Sequence, residues 1–330
     1  MREFGYERVF DVSGAVALLG TDPEARFLGG GTNLVDLMKA GVERPALLVD
    51  VRELPLDTVE FAPDSGLRLG ATVTNSDLAA HAEVRRHYPA LAQALLAGAS
   101  GQLRNMATVG GNLLQRTRCG YFSDLAKPCN KRVPGSGCPA IAGEHHNHAI
   151  LGASEHCVAT HPSDMAVALA AFDAVVSYET ADGPGELPVA EFYLPVGDTP
   201  HIETALPPGA LVTGITLPPA AVAAHSRYRK VRERASYAFA VGSIAAALDV
   251  QDGVVRDVRL AFGAVASRPW RARAAERALT GGPASAEAYA AAADAELAAA
   301  RTLPENGYKV TLMRNLVVAV LTELAEEAAR

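Results

Sequence analysis

The sequence predicts an α+β protein, with an α/β N-terminal half followed by a separate α+β C-terminal domain, and three observations carry that reading. Glycine turns link short strand and helix candidates in the first half, together with the strand candidate Ala46-Leu47-Leu48-Val49-Asp50-Val51. After Pro218-Pro219, two apolar, β-prone runs, Val241 to Val250 and Val254 to Ala261, meet across Gln251-Asp252-Gly253, a good hairpin turn. Helical stretches near Arg271 to Leu279, Ser285 to Arg301 and Tyr308 to Ala329 come last, and strands followed by helices indicate α+β. At roughly 150 residues per domain, 330 residues make about two domains.

Composition narrows the function classes. Hydrophobic residues make up 49% and charged ones 20%, the balance of a soluble globular chain rather than a disordered one. The formal charge of −7, from 30 basic and 37 acidic residues, gives no excess of cations to meet a nucleic acid. No apolar run approaches the roughly 20 residues that cross a bilayer. The start, Met1-Arg2-Glu3-Phe4-Gly5-Tyr6-Glu7-Arg8, lacks the apolar core of a signal peptide, so no export signal is expected in this chain. Alanine runs such as Ala290 to Ala300 read as helix composition.

In chain order, Arg26-Phe27-Leu28-Gly29-Gly30-Gly31-Thr32-Asn33-Leu34 reads as strand, glycine turn and helix start. Consecutive glycines let backbone N–H groups converge on an anion. The run is neither a dinucleotide fingerprint, since Leu34 stands where the third glycine belongs, nor a Walker loop, since no Lys-Ser/Thr follows. A tight turn and a phosphate cradle both account for it. Leu69 to Leu78 reads as a strand ending in hydroxyls and then a helix capped by Asn75 or Ser76. A second glycine element, Asn105-Met106-Ala107-Thr108-Val109-Gly110-Gly111-Asn112-Leu113, could hold another part of the same elongated ligand.

All four cysteines, Cys119, Cys129, Cys138 and Cys157, follow at once, inside one 39-residue window. Their separations of 10, 9 and 19 fit neither zinc ribbons nor the tight ferredoxin run. Glycine and proline punctuate the segment as loop, and a long irregular insertion needs a staple, which thiolates on a metal centre would supply. Five basic residues against the single acid Asp124, between Arg116 and Arg132, would stabilise an anionic cluster. Unligated thiols, two disulfides and a zinc site shared with His145, His146, His148, His156 or His161 stay open as alternatives.

The ordered set Leu28-Gly29-Gly30-Gly31-Thr32-Asn33-Leu34, Gly70-Ala71-Thr72-Val73-Thr74, Thr108-Val109-Gly110-Gly111-Asn112-Leu113 and Pro207 to Pro218 resembles the FAD-binding medium subunit of molybdenum hydroxylases, over essentially the whole chain. That family includes xanthine dehydrogenase, carbon monoxide dehydrogenase and aldehyde oxidoreductases. The stretch Gln102 to Cys138 with His156-Cys157-Val158-Ala159-Thr160-His161-Pro162-Ser163-Asp164 resembles the branch of bacterial periplasmic aldehyde oxidoreductase, whose FAD subunit carries an additional 4Fe-4S cluster.

The resemblance implies two α/β FAD-binding subdomains of the PCMH type over residues 1–222, a 4Fe-4S loop insertion at about 115–160, and a CO dehydrogenase flavoprotein-type α+β domain over 223–330. It implies FAD contacts along Leu28, Gly29, Gly30, Gly31, Thr32, Asn33 and Leu34, with the backbone of Gly29 to Asn33 on the pyrophosphate. Thr74 adds a contact, and Thr108, Gly111 and Asn112 close from the second loop. Asp164 matches the acidic ligand of the adenosine portion, with helix capping as its bland alternative, and Val212 and Lys230 match positions beside the flavin. Cys119, Cys129, Cys138 and Cys157 are the implied 4Fe-4S ligands. The implied partners are a 2Fe-2S small subunit and a molybdenum-cofactor large subunit in a heterotrimer, exported with a signal-bearing partner or cytoplasmic. The implied function is electron transfer from the molybdenum centre through iron–sulfur clusters to FAD and an external acceptor. A self-contained FAD oxidase and a zinc-stapled nucleotide-binding module are the rivals. The first lacks an evident flavin-linking His or Cys near a glycine turn.

Overall fold

The structure is a computed structural model that describes residues 1–328. Three sheets organise it. The first is parallel, with Leu47–Asp50 between Gly5–Arg8 and Ala25–Leu28. Its central strand is apolar because a parallel sheet is covered on its faces, and Val49 packs with Val9, Ala15, Val16, Leu54 and Leu211. The glycine turn leaves the C-terminal end of Ala25–Leu28.

The second sheet is antiparallel, in the order Val59–Ala62, Gly66–Gly70, Leu211–Leu217, Val175–Thr180, Gly183–Pro188. Its outer pairs are hairpins, which dispense with the crossover helices that parallel strands need. The second subdomain therefore sets helices against antiparallel strands, while the parallel α/β pattern is confined to the first. Leu211–Leu217 returns from beyond the cysteine window to pair with Gly66–Gly70.

The third sheet runs Trp270–Arg271, Val254–Gly263, Gly242–Gln251, Ser226–Val231. Its central hairpin turns at Asp252 and Gly253, both at positive φ (53° and 72°), the backbone that a two-residue hairpin turn requires. Both faces are buried. Ala245, Ala247 and Ala261 pack into the core that holds the helices Pro89–Ala97 and Asp164–Ala171, while Ile244, Ala246, Leu248, Leu260 and Phe262 pack with the C-terminal helices. Small side chains on one side and larger ones on the other let two helical layers press on a single sheet.

The C-terminal helices are Arg273–Leu279, Ala286–Leu297 and Tyr308–Ala328. The second stops four residues short of the expected Arg301, and the expected end of the third, Ala329, lies outside the described residues. Among the described residues, no helix is long and apolar enough to cross a membrane. The cysteine window is irregular, as read, with only the short helix Gly120–Ser123 and the 3-10 turn Pro139–Ile141.

Candidate functional site

Gly31, at φ +72°, bends the chain from the strand into the helix Leu34–Lys39. The consequence is a row of free donors. Among the described residues, the backbone N–H groups from Gly29 to Leu34 have no hydrogen-bond partner within the chain, so an anion or water must satisfy them. The second glycine element fits directly against the first. A Cβ on Gly30 would stand 1.7 Å from the Met106 carbonyl oxygen, and one on Gly29 would stand 2.7 Å from Thr108 Oγ1. Thr108 caps the helix Val109–Leu113, its Oγ1 accepting from the Gly111 N–H at 3.2 Å.

Two adjoining cavities, about 900 and 310 Å³, meet at Thr32, Asn33 and Gly111 and form one elongated cleft. The smaller gathers Gly29 to Leu34, Thr108, Gly111 and Val212. The larger gathers Asn112, Asp164 and Lys230. Leu28, the last residue of its strand, lines neither cavity.

Thr74 also lies outside both cavities. It caps the helix Asn75–Ala80, accepting from the Asp77 N–H at 3.1 Å, in place of the Asn75 or Ser76 cap expected. That choice frees Asn75 for the cleft. Asn75 Oδ1 and Thr72 Oγ1, which line the larger and smaller cavities respectively, are buried without partners. Buried polar atoms seldom stay unpaired, so the cleft fits a polar ligand. Sequence reading missed both residues; the hydroxyl run before the helix was the available signal.

Asp164 does not cap its helix. Ser163 does, accepting from the Ala166 N–H at 3.0 Å. Asp164 and Lys230 form a buried ion pair at 2.8 Å, and the same carboxylate accepts from the Tyr228 hydroxyl, whose own pKa is pushed far up by burial and that carboxylate. The pairing makes each residue the other's counter-ion at the cleft wall.

Beside the cleft, all four cysteines line one small cavity. Cys119 and Tyr121 line both, so the two spaces share a wall. Backbone amides of Phe122 and Tyr121 face the Cys119 sulfur, though burial raises its thiol pKa overall. The neighbouring Cys157 thiol brings Cys138 down to about 6 against its burial, with help from the amides of Val158, Ala140 and Ile141. Cys138 and burial in turn raise Cys157.

Thiols of this number, with amides aimed at three of them, fit the donor chemistry of an iron–sulfur cluster. The cavity between the four thiols is about 10 Å³. Among the described residues, no group of three or more His, Cys, Asp or Glu stands close enough to hold a metal ion.

Three of the window's five basic residues turn inward, while Lys127 is exposed and Arg118 faces the cleft. Arg116 pairs with Glu43 at 2.7 Å and with Glu203, and Lys131 pairs with Glu203. Arg118 lines the cleft, its guanidinium over the Phe239 ring at 4.9 Å. Arg132 donates to the carbonyls of Tyr121, Phe122 and Asp124 at 2.6–3.0 Å. The charge pattern thus marks internal staples and a cleft cation more than an outward basic face.

Residues 2–220 match the family described as the FAD binding domain in molybdopterin dehydrogenase, and residues 214–324 match the CO dehydrogenase flavoprotein C-terminal domain. The chain belongs to this flavoprotein family. It is 51% identical to the aldehyde oxidoreductase FAD-binding subunit PaoB of Escherichia coli (strain K12), over 99% of this chain and all of that one. It is 25% identical to the glyceraldehyde dehydrogenase medium chain of Sulfolobus acidocaldarius, over 84% of this chain and 82% of that one. Carbon monoxide dehydrogenase from Hydrogenophaga pseudoflava superposes at a TM-score of 0.75 with 26% identity, covering 97% of this chain and 96% of that chain. The flavoprotein is accordingly an oxidoreductase subunit with an FAD-binding domain.

Proposed function

We propose that this flavoprotein is the FAD subunit of a molybdenum-dependent aldehyde oxidoreductase, and that it passes electrons from its partners to an external acceptor. The observation that carries the proposal is the shared wall at Cys119, which sets a four-cysteine cavity directly against the cleft. The full-length identity to an aldehyde oxidoreductase subunit supports the substrate class.

The backbone amides of Gly29 to Leu34 would hold the FAD pyrophosphate, with Thr32, Asn33, Thr108, Gly111 and Asn112 closing around it. Asp164 would orient the adenosine portion and Val212 and Lys230 would flank the flavin, which when bound supplies the chemistry of electron acceptance. Cys119, Cys129, Cys138 and Cys157 would hold a 4Fe-4S cluster, which would also favour this subunit over a zinc-stapled module. Partners would be a 2Fe-2S subunit and a molybdenum-cofactor subunit in a heterotrimer. The chain's own groups would bind and orient the flavin and exclude water from it.

Metal analysis and a visible spectrum of the purified chain test the proposal. About four irons per chain under FAD bands are expected, and Cys129→Ser should lose iron while keeping FAD. Stoichiometric zinc without iron, or unchanged iron in the variant, would overturn the cluster assignment. Aldehyde turnover by the molybdenum-free chain would overturn the subunit role.

A further inference from the structure

A turn inside the cysteine window is clamped by the C-terminal domain, and the clamp ends on a sulfur. His148 Nε2 lies 3.2 Å from Cys119 Sγ. A ligating sulfur is a thiolate and carries no proton, so in a loaded centre the proton of this contact would belong to Nε2 and the imidazole would donate. His148 Nδ1 is then a bare acceptor, and it is buried without a partner.

Ligand-orienting imidazoles are usually fixed through the second ring nitrogen. Here the backbone does that work. Asn306, fully buried, donates to the His148 and Ala149 carbonyls at 3.4 and 3.2 Å. Lys309, also fully buried, bridges the Asn147 and Ala264 carbonyls at 3.0 and 2.8 Å. Among the described residues no carboxylate pairs with Lys309, which leaves holding this turn as its visible work. The Glu305 N–H donates to His145 Nε2 at 3.1 Å, and Tyr308 stacks on His146 at 4.6 Å. His148 also lines the cleft, beside Cys119, which lines both the cleft and the cysteine cavity.

We propose that His148 is a positioning residue for the Cys119 sulfur, held in place from the C-terminal domain by Asn306 and Lys309, and that its hydrogen bond raises the reduction potential of the centre built on that sulfur. The inference rests on the cluster reading above. A donor to a thiolate stabilises the more negative, reduced form, so its removal should lower the potential.

The test is a redox titration of the iron–sulfur EPR signal in the purified complex, with iron and flavin counted in each variant. His148→Phe, which keeps the ring shape and deletes the donor, should lower the midpoint at unchanged iron and flavin. His148→Gln, which keeps an N–H donor, should stay nearer the parent. Lys309→Met should shift the midpoint in the same direction by less. An unmoved midpoint in iron-replete His148→Phe overturns the inference alone, as does a Gln variant shifted as far as the Phe one. Absence of iron from the parent complex overturns the cluster reading and takes this inference with it.

Discussion

The cleft and the cysteine window are neighbours built on opposite principles. The cleft is made of backbone: two glycine elements in contact, with amides left free because no side chain can fill the turn. The window is made of side chains: Arg132 on four carbonyls, Lys131 on Glu203, and Asn130 bonded to Gly137 and His156. A recognition surface made of backbone is broken by adding atoms, and a loop held by polar side chains is broken by removing them.

The comparison is tested most severely at Gly30. The resemblance casts its backbone as a phosphate ligand, yet a Cβ there would first strike the Met106 carbonyl of the other loop. Gly30→Val should therefore part the two elements, cost more than about 4 kcal/mol of stability, and leave little bound flavin. A folded variant with full flavin content by absorbance would show that the cleft tolerates what its geometry forbids.

Lys230→Ala comes next, because it leaves Asp164 buried and unpaired. Breaking one partner from a buried pair costs about 3–5 kcal/mol, to be read as a lower denaturation midpoint together with weaker flavin retention. If Asp164→Asn combined with Lys230→Ala recovers no stability, the pair is not the source.

In the window, Arg132→Ala removes a cation that satisfies the carbonyls of Tyr121, Phe122, Asp124 and Lys127. A loss of about 1.5–3 kcal/mol follows from charged hydrogen bonds, with hydrogen exchange rising across residues 120–132 and flavin retained. Flavin loss equal to that of Gly30→Val would erase the distinction between the two regions.

A last effect concerns acid. His161 accepts from the Ser163 N–H at 3.3 Å, and burial pushes its pKa from 6.5 to about 3. Between those values the unfolded chain binds a proton that the folded chain refuses, so this contribution is complete above pH 6.5 and is lost as pH falls towards 3. His161→Phe should flatten the dependence of the melting temperature on pH in that interval. An unchanged slope would assign the acid limb to other groups.

The local signals were legible where geometry is local. The Asp252-Gly253 turn, the strand Leu47–Asp50 and the glycine bend into Leu34–Lys39 follow from positive φ, apolar runs and the freedom of glycine, which act within a few residues. The clustering of four cysteines in sequence is matched by their gathering around one cavity. Which side chain caps Asn75–Ala80 was not legible, since Thr74, Asn75 and Ser76 can each cap and the choice depends on what packs around them.

The sequence by itself determined the two glycine elements, the loop character of the cysteine window and the strand-then-helix order of the C-terminal domain, because each is written in neighbouring residues. Tertiary structure alone decided that Asp164 meets Lys230 across 66 positions, that Met106 closes on Gly30, and that Asn306 and Lys309 reach back to the turn at His148. Those contacts join segments whose meeting is set by how sheets and helices stack. Only burial turns a lysine, an asparagine or a histidine from a solvated side chain into a fixed partner.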